Sequence, residues 1–168
     1  AAILSPRTSM ARASGPTRRP RAVRRASGDE LDATTLYALL KLRAEVFIAE
    51  QQSPWLDVDG RDLDPSTVHL WLPDGAAPGG AVATVRITDE GPGLAAIGRV
   101  CAAPSHRGRG LIGELMTAAL AELDGRACLL EAQSHLESMY AKYGFAREGD
   151  EFIEDGIPHV PMRRPAGV

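Results

Sequence analysis

Apolar positions recur along this chain with two different periods, and the alternation between them lays out the elements. Leu36, Leu39, Leu40, Val46 and Phe47 return at three- and four-residue intervals, which predicts a helix with Asp32 or Thr34 available as its cap. Arg43 and Glu50 fall on the same stripe. Such groups are rarely buried alone, so they either lie at its margin, join an ion-pair network, or face a cavity where charge is useful. Residues 67–72 and 81–88 read as a strand hairpin closed through Pro73-Asp74-Gly75 and Pro78-Gly79-Gly80. A third strand over 95–103 follows Gly91-Pro92-Gly93, and 21–24 reads as an edge strand. A second helix starts near Gly108 and runs to Asp124, with Ile112, Leu115, Met116, Ala119 and Leu123 on its apolar face. A fourth strand over 127–132, a short helix around 136–143, and closing strands from Phe145 onward and over 159–162 complete the pattern. Strands first, then strand-helix-strand-helix-strand, imply an α/β fold: a mixed α+β sheet, partly parallel at its centre and flanked by helices.

Composition adds boundaries. The chain has 168 residues, 44% of them apolar and 24% charged, which suits one folded domain. Its net charge of −3 hides an asymmetry: residues 1–28 hold seven arginines and no acid, so the remainder is strongly acidic. We therefore expect a disordered basic tail over 1–20, of transit-peptide-like composition and without function, ahead of a single domain over 21–168. An acidic body argues against nucleic-acid binding, since phosphate contacts need a basic face, and no apolar run reaches the ~20 residues of a membrane span. Two cysteines in apolar stretches, Cys101 and Cys128, make neither a disulfide framework nor a metal quartet and point to a reducing, cytoplasmic compartment. The polar connection 51–66 is long enough to be functional. Its run Asp57-Val58-Asp59-Gly60-Arg61-Asp62 looks like a calcium loop but fails on spacing, with glycine too early and Val68 where a bidentate Glu belongs. No metal is expected.

The most informative stretch is the passage from strand to helix through Pro104-Ser105-His106-Arg107-Gly108-Arg109-Gly110-Leu111-Ile112-Gly113. Free amides at a helix start carry roughly +0.5 of a charge, glycines let an anion approach them, and Arg107 and Arg109 add charge. A diphosphate cradle and a plain basic turn both fit. Gly108 to Gly113 also matches G-x-G-x-x-G, but Pro104 to Arg107 separate it from the strand and too little chain follows for a dinucleotide fold. No Gly-Lys-Ser/Thr follows, which excludes a P-loop.

Arg107-Gly108-Arg109-Gly110-Leu111 resembles the acetyl-CoA loop of the GNAT N-acetyltransferases, Arg/Gln-x-x-Gly-x-Gly/Ala, and Tyr140-Ala141-Lys142-Tyr143-Gly144-Phe145 resembles the Tyr-x-Lys-x-Gly-Phe element that follows it. Leu36 to Arg43, Glu45-Val46-Phe47, Glu50-Gln51-Gln52, Asp57 to Gly60, and Glu154-Asp155-Gly156-Ile157-Pro158-His159 with Met162 are similar to the ElaA-like branch. The resemblance spans about residues 31–164. It implies a GNAT-like acyl-CoA N-acyltransferase fold and direct acetyl transfer from acetyl-CoA, as cosubstrate, to a small-molecule or peptide amine. It maps pantetheine onto the backbone of Val100, Cys101 and Ala102, and the pyrophosphate onto Arg107, Gly108, Arg109, Gly110, Leu111, Ile112 and Gly113. Cys101 is then a small strand residue rather than a nucleophile. Tyr140 takes the general-acid position, and Glu50, Glu131, His135 and His159 are candidates for the base, with Glu131 and Glu50 in front. The sequence departs from the pattern at Ile112, usually Gly or Ala. Its bulk would crowd a diphosphate unless the apolar stripe turns it into the core; the crowded case favours a non-catalytic acyl-CoA-binding or interaction module. A homodimer is compatible with everything above.

Overall fold

A computed structural model of the chain describes residues 21–168 apart from Pro78. The expected tail lies outside the described residues. At the centre is one sheet built from β1 (Arg24–Ser27), β2 (Val68–Pro73), β3 (Ala81–Asp89), β4 (Leu94–Ala102), β5 (Ala127–Gln133), β6 (Ala146–Arg147), β7 (Phe152–Glu154) and β8 (Ile157–Arg164). Its order is β1-β2-β3-β4-β5-β8-β6, with β7 hairpinned onto β8. Among the described residues the parallel centre expected from the sequence reduces to one pair, β4 beside β5. No helix among them is long and apolar enough to cross a membrane.

Helices cover both faces. Asp32 caps α1 (Ala33–Arg43), its carboxylate accepting from the Thr35 amide at 2.6 Å. Past Arg43 the backbone widens into a π-helical turn, Ala44–Glu50, where the Gln51 amide donates to Val46 O at 3.0 Å. The stripe's two polar residues part company there: Arg43 is 1% exposed, whereas Glu50 lies on the surface. Leu42 and Val46 pack on Cys101 of β4, while the neighbouring Ala102 joins the core of α2 (Leu111–Leu123) with Leu115, Met116, Ala119 and Leu123. Successive strand residues point to opposite faces, so α1 and α2 flank β4 from opposite sides. A short α3 (Glu137–Ala141) follows β5.

The connection 51–66 contains no helix or strand, yet it is pinned at its middle. Arg43 donates to Asp57 Oδ2 at 2.9 Å and to Asp62 Oδ1 at 2.6 Å. Arg86 of β3 reaches Asp62 at 3.0 Å and grips both oxygens of Asp59 at 2.8 and 2.6 Å. Arg99 of β4 closes the ring, 3.0 Å from Asp57 Oδ1 and 3.3 Å from Asp59 Oδ2. Buried His69 is 2.8 Å from Asp62 O through Nε2. Burial alone would raise the Asp62 carboxyl, but bonds and charge from Arg43 and Arg86 outweigh it and hold it low. Arg86 itself holds Asp59 far below the usual carboxylate range.

The ring is tied to the sheet through an irregularity in β4. Thr84 pairs with Cys101 and Arg86 with Gly98, so Val85 faces two residues, Arg99 and Val100. This one-residue bulge puts Arg99 at φ +53°, a left-handed conformation costing about 1–2 kcal/mol in a non-glycine residue. A bulge bends its strand and raises its twist. β4 accordingly pairs with β5 only from Leu94 to Ala96, and the two strands separate beyond Ala96 and Leu129.

Removing Arg43 leaves two buried aspartates without a main counter-charge. Arg43→Ala should therefore lose about 3–5 kcal/mol in urea unfolding; a loss under 1 kcal/mol would show that the ring contributes little. Because Asp59 and Asp62 are held low when folded, their contribution is complete above the unfolded aspartate pKa of ~3.9 and is lost as pH falls below it. Wild-type stability should drop through that window more steeply than that of Asp59→Asn.

Candidate functional site

The gap between β4 and β5 is where the candidate residues meet. Two cavities open along it, of about 580 and 780 Å³. The smaller faces α2 and α3 and is lined by Val100, Ala102, Arg107, Ile112 and Tyr140, among others. The larger faces the 51–66 connection and the β7–β8 turn, with Trp55, Leu56 and Asp155 in its wall. Phe47, Gln51, Arg99, Glu131, Gln133 and His159 line both, so the cavities communicate through the gap. Parallel partners that separate leave backbone groups of β4 without a ladder on that side, available to an extended ligand.

At the head of the smaller cavity, a short 3-10 turn (Pro104–His106) leads into α2. Gly110, at φ +74°, is its cap residue, and no side chain caps the helix. The first helical bond is Glu114 N–H to Gly110 O at 3.2 Å, so the amides of Leu111, Ile112 and Gly113 precede it and point out of the helix start. Gly110 and Gly108 (φ +73°) both have open space where a Cβ would be. Gly113 serves packing instead, because a Cβ there would come within 3.2 Å of the Tyr143 hydroxyl. Ile112 packs against the core beneath the loop and borders the cavity with the rest of its surface. Arg107 gives its Nε to Ala102 O at 3.3 Å and its two terminal guanidinium nitrogens to Glu50, at 2.7 and 2.9 Å. That bond holds the Glu50 carboxyl below its ordinary range and raises Arg107. Arg109 donates to Ser105 O at 3.2 Å.

Tyr140 on α3 is buried, edge-on to Phe145 at 6.4 Å between centroids. Burial pushes its phenol up to about 12. Glu131 is exposed on β5 into the shared part of the gap and forms no ion pair with any described residue. His135 lies on the smaller cavity, beside Leu136. His159, opposite Gln133 in the β5/β8 register, lies at the junction. The structure thus brings Tyr140, Glu131, His135 and His159 to one gap and leaves Glu50 at its rim with Arg107.

A family model described as "Acetyltransferase (GNAT) domain" matches residues 43–165. The chain belongs to the GNAT family. It is 48% identical to the UPF0039 protein Rv2851c of Mycobacterium tuberculosis over 86% of this chain and 93% of that one. It is 36% identical to Protein ElaA of Escherichia coli over 80% and 90% of the two chains. Among solved structures, an acyl-CoA N-acyltransferase from Pseudomonas aeruginosa superposes with a TM-score of 0.78 at 37% identity, covering 85% of this chain and 99% of that one. The chain is an ElaA-like member of the GNAT superfamily, and its mixed sheet flanked by helices is the acyl-CoA N-acyltransferase fold.

Within this GNAT sheet the sequence reading missed Arg86 and Arg99 as partners of the aspartate run. Their signal was present: both are charged residues inside apolar strands, which demands counter-charges nearby. It also missed the cross-gap bridges, Gln133 Nε2 to Gln51 Oε1 at 3.4 Å and the Ser53 hydroxyl donating to Asp155. Cys101 of β4 is buried under Leu42 and Val46, and burial pushes its thiol up to about 12; Cys128 is pushed up to about 11 for the same reason. Neither thiol should react with Ellman's reagent at pH 7.5 until guanidinium unfolds the chain. Rapid labelling of the native protein would contradict the burial that makes Cys101 a packing residue rather than a nucleophile.

Proposed function

We propose that this GNAT protein transfers the acetyl group of acetyl-CoA directly to a primary amine of a small molecule or peptide. One observation carries the reading: the unladdered half of β4, Tyr140, and the residues Arg107 and Ile112 on either side of the uncapped helix start line the same cavity. In this reading the backbone of Val100 to Ala102 pairs with pantetheine, as a missing strand would. The amides of Leu111 to Gly113, opened by Gly108 and Gly110, receive the pyrophosphate. Arg107 and Glu50 hold the loop against the π-helical turn. Both Glu50 oxygens are already occupied by Arg107, which suits a clamp better than a proton acceptor.

Tyr140 then protonates the departing thiolate. A phenol near 12 keeps its proton through the neutral range, so it is always loaded as a donor. The larger cavity receives the acceptor. Its unpaired Glu131 and its aromatic wall, Phe47 and Trp55, favour a cationic amine with an apolar body. Ile112 packs part of its surface against the core, which supports a cofactor seat at the helix start over the non-catalytic alternative. Two buried free thiols suit a reducing compartment such as the cytoplasm.

Thiol release from acetyl-CoA against a panel of primary amines, with melting temperature measured beside it, tests the assignment. Acetyl-CoA should raise the melting temperature and at least one amine should release CoA. Tyr140→Phe should lower kcat about 10²-fold or more with acetyl-CoA affinity nearly unchanged. Binding without transfer to any amine would favour the non-catalytic module, and no binding would remove the assignment.

A further inference from the structure

We infer that His159 is the base that deprotonates the incoming amine, with Glu154 positioned to hold the imidazolium that results. The inference rests on the acetyl-transfer reading above and adds the group that reading lacks. An alkylammonium near pKa ~10.4 is almost wholly protonated at pH 7 and has no lone pair with which to attack. Imidazole, with an intrinsic pKa nearer neutrality than a carboxylate's, accepts a proton there more readily.

Geometry selects His159 among the candidates. It lines both cavities, as Glu131 does, whereas His135 borders only the smaller one and Glu50 is held by Arg107; of the two that remain, the imidazole is the more basic group by type. Its Nδ1 is 2.8 Å from Ile157 O. A carbonyl oxygen can only accept, so Nδ1 carries the hydrogen, and in the neutral ring the lone pair is on Nε2. Nε2 is 4.0 Å from Glu154 Oε2, so a carboxylate faces the nitrogen that takes the proton without a short hydrogen bond occupying its lone pair. Phe152 stacks on the imidazole at 5.7 Å with 23° between planes and holds it in this orientation. The β7–β8 hairpin therefore supplies the base, the group that sets its tautomer, the carboxylate and the stacking ring.

The other charged groups facing His159 are arranged for the same task. From β5, Glu131 is two residues from Gln133, the partner opposite His159, which makes Glu131 its diagonal neighbour on one face. From β4, Arg99 lines the same junction but is bound by Asp57 and Asp59. Asp155 and Glu148 lie in the wall of the larger cavity. The acids draw an ammonium to the junction, where His159 Nε2 takes one proton and passes it to solvent. The neutral nitrogen forms the C–N bond to the acetyl carbon, the C–S bond breaks, and its electron pair stays on sulfur. Tyr140 protonates that sulfur, and the second proton lost from nitrogen restores the phenol. Ammonium and thioester become amide, thiol and one released proton.

The test combines kinetics with spectroscopy on the full chain. In wild type, kcat/KM for the best amine of the panel should fall as pH drops through the imidazole range. His159→Gln should lower kcat about 10²-fold while acetyl-CoA affinity and melting temperature stay close to wild type. Glu154→Gln keeps the imidazole but removes the carboxylate, so it should lower kcat while KM for the amine and the melting temperature stay close to wild type, a split that a merely structural contact would not produce. Long-range ¹H–¹⁵N spectra should show His159 in the Nδ1–H form. A His159→Gln enzyme with wild-type kcat and pH profile, or a neutral ring protonated at Nε2, would overturn the assignment while leaving acetyl transfer intact. A wild type that releases no CoA with any amine would overturn both.

Discussion

Arg99 joins the two features on which the rest of the molecule depends. Its backbone takes the left-handed turn of the β4 bulge, and its guanidinium is held by Asp57 and Asp59. The ion-pair ring fixes the side chain of a residue whose backbone is in an unfavourable region, and so offsets the cost of the bulge. Beyond the bulged stretch, β4 and β5 are no longer paired, and Tyr140, Glu131, His135 and His159 line the gap between them. Surface ion pairs contribute little to stability, but this ring is enclosed, and breaking it strands charge inside the protein. Its value is positional too: it ties the 51–66 connection to α1, β3 and β4.

The gap divides the chemistry between elements of different kinds. On the α2 side, backbone groups dominate: the open half of β4 and the free amides of a glycine-capped helix, both nearly indifferent to side-chain identity. On the other side, side chains dominate, contributed by β5, the β7–β8 hairpin and the pinned 51–66 connection. An acyl-CoA has the same chemistry whatever amine it meets, so a backbone-built seat suits it. In the proposed reading, acceptor selectivity would rest on side chains such as Trp55, Leu56 and Glu131 in the wall of the larger cavity.

The order of strands and helices was legible because periodicity reports which face is buried. The mixed sheet, the α2 core and the Asp32 cap agree with the pattern, with element ends moved by one to three residues. The glycine loop was legible for a related reason, since Gly108 and Gly110 occupy left-handed positions that other residues adopt at a cost. The bulge was not, because a one-residue insertion in an apolar strand leaves composition and alternation almost unchanged. The partners of the aspartate run were not legible, because they are arginines 14 to 42 residues away in sequence. Glu50 looked like a base from its place on a helical stripe; the widened π-helical turn carries it to the rim and onto Arg107. Tertiary distance, not residue type, separated the legible half of the site from the rest.

The central claim, that the separation of β4 from β5 is the seat of the acyl carrier, can be tested directly by following backbone amide resonances as CoA is added to the full chain. Shifts concentrated at Val100 to Ala102 and at Leu111 to Gly113, with little change along β1 and β2, are expected. Shifts centred elsewhere, with those amides unmoved at saturating CoA, would contradict it.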